Sequence, residues 1–101
     1  MPHFVFRGLD RPGTEALRHS IRDAHRAYIR EPREGCHCVA GGPLVADDGA
    51  PMVGTLLIFE APDRESVLRF LAGDPYGQAS LFAETVVQRW QWGLGQPPEA
   101  P

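Results

Sequence analysis

A chain of 101 residues is long enough for one modest hydrophobic core and too short for two. Its formal charge of −3, from 10 Lys+Arg against 13 Asp+Glu, sets up no basic field for nucleic acid or an anionic membrane, so neither is expected as a partner. No apolar run reaches the ~20 residues that span a bilayer and no leader pattern precedes the first strand-like segment, so a cytoplasmic protein is the expectation.

Phe4 and Phe6 alternate with His3, Val5 and Arg7, the period of a strand with one buried face, and Gly8 to Gly13 reads as the turn that ends it. Thr14 can cap a helix in which Leu17, Ile21, Ala24 and Tyr28 recur as one apolar stripe, with Pro32 and Gly35 as its stop. His37 to Val45 reads as a strand interrupted by Gly41-Gly42-Pro43, and Asp47-Asp48-Gly49 as the hairpin turn into a strand over Met52 to Glu60. The stretch Val53 to Phe59 is apolar apart from Gly54 and Thr55, as expected of a central strand covered on both faces. Asp63 is the N-cap of a second helix carrying Val67, Leu68, Phe70 and Leu71, which Gly73 stops. A short third helix is predicted over Tyr76 to Phe82. A last strand then runs from Glu84 to Trp92, with Val86, Gln88, Trp90 and Trp92 on one side. Residues 1–92 form the domain in this reading, and residues 93–101 a flexible Pro/Gly-rich tail.

The order strand, helix, strand, strand, helix, strand gives an α+β fold: a ferredoxin-like βαββαβ sandwich with two helices on one face of a four-stranded antiparallel sheet. Val, Leu and Trp residues left on the other face call for a cover, so a homodimer through that sheet face is expected.

Two cysteines separated by one residue, in Cys36-His37-Cys38, make a strained bridge and provide no disulfide framework. On a strand both would point one way and His37 the other, short of the four ligands of a closed zinc site, so no metal site is assigned.

Among candidate functional residues, His25 lies ~70° from the centre of the first helix's apolar stripe, on the same edge as Arg18 and Arg22. At that boundary a histidine can face a cleft with one nitrogen accessible, as a general base requires, or can be a helix-edge residue without a task. Asp74, followed by Pro75, caps the short third helix. A capping carboxylate can also accept from a histidine Nδ1–H and fix its tautomer, so spacing does not separate capping from catalysis. Arg22, one turn before His25, is a candidate clamp for an anionic or phenolate oxygen, and Tyr76 a candidate pocket wall or donor. Gly42 and Pro43 are candidate ligand contacts because Gly41-Gly42-Pro43 reads as a bend that admits close backbone approach. Trp90 and Trp92 with Phe4 and Phe6 fill the core or dimer interface, or else line an aromatic cavity.

With His25 late in helix one, Gly41-Gly42-Pro43 in strand two, Gly54-Thr55-Leu56-Leu57-Ile58-Phe59 in strand three and the Asp74-Pro75-Tyr76 turn in this order, the chain resembles the YciI-like (YCII-related) family over most of residues 3 to 92. The resemblance implies a dimeric α+β barrel and a His-Asp catalytic pair, carried onto His25 and Asp74. It points to proton transfer on small cyclic or aromatic compounds, in the manner of dehydrochlorinases and muconolactone isomerases, with no metal or organic cofactor. Ser80 departs from the family pattern, which often has glycine after the Asp-Pro-Tyr turn. Two readings of function follow: a lyase- or isomerase-type enzyme, or a dimeric module that binds a small molecule or a partner without turnover. A dyad in hydrogen-bond reach and open to solvent favours the enzyme; a buried or separated pair favours the module.

Overall fold

Alternation along β1 (His3–Asp10) sends Phe4, Phe6 and Gly8 to one side of the sheet, where the two phenylalanines are buried. In the computed structural model, which describes residues 1–95, β1 pairs with β3 (Met52–Glu60) and β4 (Phe82–Trp90), and β2 (His37–Val45) lies on the far side of β3. The strand order β2-β3-β1-β4, antiparallel throughout, is that of a ferredoxin-like sheet. Helices α1 (Glu15–Ile29), α2 (Arg64–Gly73) and the single turn α3 (Pro75–Gln78) complete the expected order, α3 being an addition between α2 and β4.

Register decides which side chains meet. Phe4 stands opposite Phe59, Phe6 opposite Leu57 and Gly8 opposite Thr55, so these six positions share the helix-side face. Phe4, Phe6, Leu57 and Phe59 of that face form the core with Cys36, Ala61 and the α2 residues Val67 and Phe70. Gly8 is required there, since a Cβ would stand 2.7 Å from the ring of Phe82. Tyr28 ties the helices together by donating its hydroxyl to the Phe70 carbonyl at 2.8 Å, an approach that Gly73 leaves room for. On the opposite face lie Val5, Leu56, Ile58, Val86 and Trp90, half-buried or exposed. β3 is therefore covered by helices on one side only in this chain.

Several expectations change. Gly8, Leu9 and Asp10 belong to β1 rather than to a turn, because β4 and β3 continue to pair with them. Gly41-Gly42-Pro43 does not interrupt β2; the register shifts fall between Cys38 and Ala40 and between Leu44 and Val45. The third helix stops at Gln78, and Phe82 already opens β4, which ends at Trp90. The largest difference is on α1, where Ala24 is exposed while Arg18 and His25 are its buried residues. Acceptors on neighbouring elements, set out below, make that polar burial affordable. The expected tail lies largely outside the described residues, which end at Gly95.

Candidate active site

Asp74 stands where two helices meet, as the C-cap of α2 and the N-cap of α3. Its backbone N–H donates to Leu71 O, its carbonyl accepts from the Gln78 N–H, and its Oδ1 accepts from the Tyr76 N–H at 3.0 Å. Pro75 at the first position of α3 costs nothing there, because that N–H would have no helical partner. Capping thus fixes the carboxylate, as the Asp-Pro dipeptide suggested.

The same carboxylate also reaches α1. Nδ1 of His25 lies 2.8 Å from Oδ1 and 2.9 Å from Oδ2 of Asp74, so the aspartate holds the imidazole with both oxygens. A carboxylate only accepts, which assigns the proton to Nδ1 and leaves the lone pair of a neutral ring on Nε2. The pair meets but is closed in, His25 being 5 % exposed and Asp74 2 %. Nε2 of His25 has no hydrogen-bond partner among the described residues.

Tyr76, 1 % exposed, lies flat against the imidazole, with centroids 3.9 Å apart and planes 16° from parallel. Its ring also takes the guanidinium of Arg18 at 4.6 Å and meets the edge of Phe82. Arg18 is locked by a two-pronged bond to Asp10, Nε to Oδ2 at 2.6 Å and Nη2 to Oδ1 at 2.8 Å, and donates to Thr55 Oγ1 at 2.8 Å. Burial works against the Arg18 charge, but the hydrogen bond of Asp10, with the attraction of Tyr76 and Asp10, outweighs it and raises the pKa. Burial likewise pushes the Tyr76 phenol up, against the pull of Arg18 and Arg22.

Asp10, Arg18 and Thr55 are the residues that sequence reasoning missed. A signal existed for two of them: Thr55 is a polar residue in an apolar strand, and Arg18 shares an edge of α1 with Arg22 and His25. Their partnership depends on strand register and could not be read from spacing.

Arg22 is half-buried and lines a cavity of ≈ 220 Å³ with Glu15, Arg18, His19, Pro51 and Met52; it has no hydrogen-bond or ion-pair partner among the described residues. A second, mostly apolar cavity of ≈ 210 Å³, walled by Phe6, Leu71, Phe82 and Val87, touches Asp74. Gly42 does not join the dyad: it pairs with Leu56 and so looks to the open side of the sheet, away from the helices. Pro43 pairs with Thr55 on the helix side but is exposed on the edge strand. The aromatic residues separate too, Phe4 and Phe6 entering the core while Trp90 and Trp92 pack together, centroids 4.7 Å apart, at the end of the sheet.

No group of three or more His, Cys, Asp or Glu side chains is placed to hold a metal ion among the described residues. Cys36 precedes β2, in an isolated bridge with Arg33, and both thiols are free. Burial drives Cys36 up to about 12 and Cys38 up to about 11, so both are protonated thiols at neutral pH. No helix is long and apolar enough to cross a membrane among the described residues.

Residues 3–91 match the YCII-related domain. The chain belongs to that family. Among solved structures it is similar to the 5-chloro-2-hydroxyhydroquinone dehydrochlorinase of Burkholderia phenoliruptrix AC1100, in complex with 2,5-dihydroxybenzoquinone. That likeness has 34% identity and a TM-score of 0.79 and covers 90% of this chain and 95% of the other. An antibiotic biosynthesis monooxygenase, 14% identical with a TM-score of 0.51 over 91% of this chain and 98% of its own, shares the fold. No curated protein sequence matches.

Proposed function

We propose that the chain is a homodimeric enzyme that moves a proton on a small hydroxylated cyclic or aromatic compound, with His25 as base and Asp74 as its anchor. The observation that carries this reading is the grip of both Asp74 oxygens on Nδ1, with Nε2 left unpartnered. A carboxylate spent only on capping α3 would need one oxygen and no imidazole. The burial of the pair favours the non-catalytic module; the grip of the carboxylate on Nδ1 and the unpartnered Nε2 favour chemistry.

In the proposed reaction Nε2 takes a proton from a ring hydroxyl and delivers it to a ring carbon, giving the ketone tautomer. Loss of a proton from a second hydroxyl then expels a leaving group from that carbon with its bonding electrons. The net change is loss of an acid such as hydrogen chloride and formation of a quinone, with no external oxidant and no cofactor. Asp74 steadies the imidazolium while it carries the proton. Similarity to a dehydrochlorinase of a chlorinated hydroxyquinol, at 34% identity, supports this class of substrate. The apolar face of Val5, Leu56, Ile58 and Val86 supports a dimer closed sheet to sheet.

The test is chloride release from 5-chloro-2-hydroxyhydroquinone by the purified protein, followed together with quinone absorbance. Release that exceeds the spontaneous rate and depends on His25 supports the proposal. Binding of the quinol without chloride release would favour the module.

A further inference from the structure

We propose that Arg18, held by Asp10 and acting through Tyr76, is a positioning residue that sets the plane of the His25 imidazole; this rests on the proposed role of His25 as base. The two side chains that cover Tyr76 come from one helix. Residues seven apart on an α-helix stand about 10.5 Å apart along its axis. The imidazole at 3.9 Å and the guanidinium at 4.6 Å from the same ring centroid therefore lie on its opposite faces, with Tyr76 inserted between them.

This insertion joins two hydrogen-bonded pairs into one stack. At one end Asp10 fixes the guanidinium through two bonds and Thr55 takes a third, so the planar fork has a single orientation. At the other end Asp74 holds Nδ1, but a bond pair to one ring nitrogen leaves the imidazole free to pivot about that contact. The face of Tyr76 removes that freedom, and the Tyr76 N–H bonds the same carboxylate that Nδ1 uses. The direction of Nε2 is then set by four groups from β1, β3, α1 and α3 rather than by the dyad alone. A buried Arg–Asp pair adds little net stability over apolar replacements, which leaves a positioning role open to it beside the dyad. Arg18 makes no hydrogen bond to His25, although it lines the cavity of ≈ 220 Å³ beside Arg22; its effect on the imidazole passes through the tyrosine ring.

The experiment compares the wild type with Asp10→Asn/Arg18→Met, which removes both charges of the buried pair while keeping an unbranched side chain over Tyr76, and with Tyr76→Phe and Tyr76→Leu. Two readouts are taken: the downfield Nδ1–H proton resonance of His25 with its solvent exchange, and the kinetics of quinol turnover. Loosening the stack should speed Nδ1–H exchange at least tenfold in Asp10→Asn/Arg18→Met and in Tyr76→Leu, whereas Tyr76→Phe, which keeps the ring, should resemble wild type. Turnover should follow the same split, kcat falling about 10-fold with KM changed less than 2-fold. An unchanged resonance and unchanged kcat in the folded double variant would overturn the proposal. So would equal loss in Tyr76→Phe and Tyr76→Leu, which would assign the effect to the phenol. If no quinol is turned over by wild type, the resonance alone decides the positioning role, and only the reading of His25 as a base falls.

Discussion

Asp74 gives both carboxylate oxygens to Nδ1 of His25, at 2.8 and 2.9 Å, while one of them also receives the Tyr76 N–H. One short side chain thus ends α2, starts α3 and orients a histidine from a helix 49 residues earlier in the chain.

Exchange of Asp74 for asparagine separates these tasks. Asparagine caps nearly as well, so the cap loses a few tenths of a kcal/mol, and replacing the charge-assisted bond to the imidazole by a neutral one costs about 1 kcal/mol more. The amide can also donate to the ring, which releases the tautomer. Ring nitrogen NMR of Asp74→Asn should show population of the Nε2–H form absent from wild type; a ring still protonated only on Nδ1 would count against the carboxylate as the anchor.

The variant His25→Gln tests the base itself. Because the ring is stacked on Tyr76 and not at a boundary, its loss should cost about 1–2 kcal/mol of stability, measured by urea unfolding. Turnover of any quinol substrate should fall about 10²–10⁴-fold, with binding little changed. Full turnover by the folded variant ends the mechanism.

Ser80 has φ 53°, in the left-handed region that favours glycine. Its side chain makes no hydrogen bond in the described structure, whereas its carbonyl accepts from Arg11 and its N–H donates to Gly77 O. Ser80→Gly keeps both backbone bonds and should raise stability by about 0.5–1 kcal/mol in chemical denaturation. A loss of stability would show that the serine hydroxyl has a use.

Val86 sits opposite Arg7 on the open face of the sheet and is 39% exposed. If that face closes a dimer, wild type should scatter light as twice the chain mass, and Val86→Glu should scatter as a monomer with its helix-side core intact by circular dichroism. A wild-type monomer at micromolar concentration would remove the sheet-to-sheet dimer.

The thiols give a pH dependence. Burial raises Cys36 from 9.0 to about 12 and Cys38 from 9.0 to about 11 in the folded chain. Below pH 9 both states hold these protons; above it the unfolded chain releases them first, so stability declines as pH rises from about 9 towards 11. The urea midpoint should drop over that window, and Cys36→Ala/Cys38→Ala should lessen the drop. An equal drop without the cysteines would place its origin in other groups, such as Tyr28 and Tyr76, whose pKa values burial also raises.

Local pattern was enough for the order of strands and helices and for the stop of α2 at Gly73, but not for the bounds of β1, α3 and β4. Phe4 and Phe6 follow a two-residue period and Asp63 and Asp74 precede helices, because side-chain alternation and unsatisfied N–H groups act within a few residues. The family order of His25, Gly-Gly-Pro and Asp-Pro-Tyr was also visible in the sequence. Periodicity misjudged part of α1, however: of the stripe Leu17, Ile21, Ala24 and Tyr28, Ala24 is exposed and the others are half-buried, while Arg18 and His25 are the helix's fully buried residues. A hydrophobic stripe assumes that burial means contact with carbon. Here the carboxylates of Asp10 and Asp74 and the hydroxyl of Thr55 stand under the helix, and they offset the desolvation of a cation and an imidazole. Those acceptors come from β1, β3 and the α2–α3 junction, distant in sequence, so their meeting is a property of strand register and helix packing. The sequence supplied the residues of the dyad; only the tertiary structure brought Nδ1 to Asp74 and slid Tyr76 between His25 and Arg18.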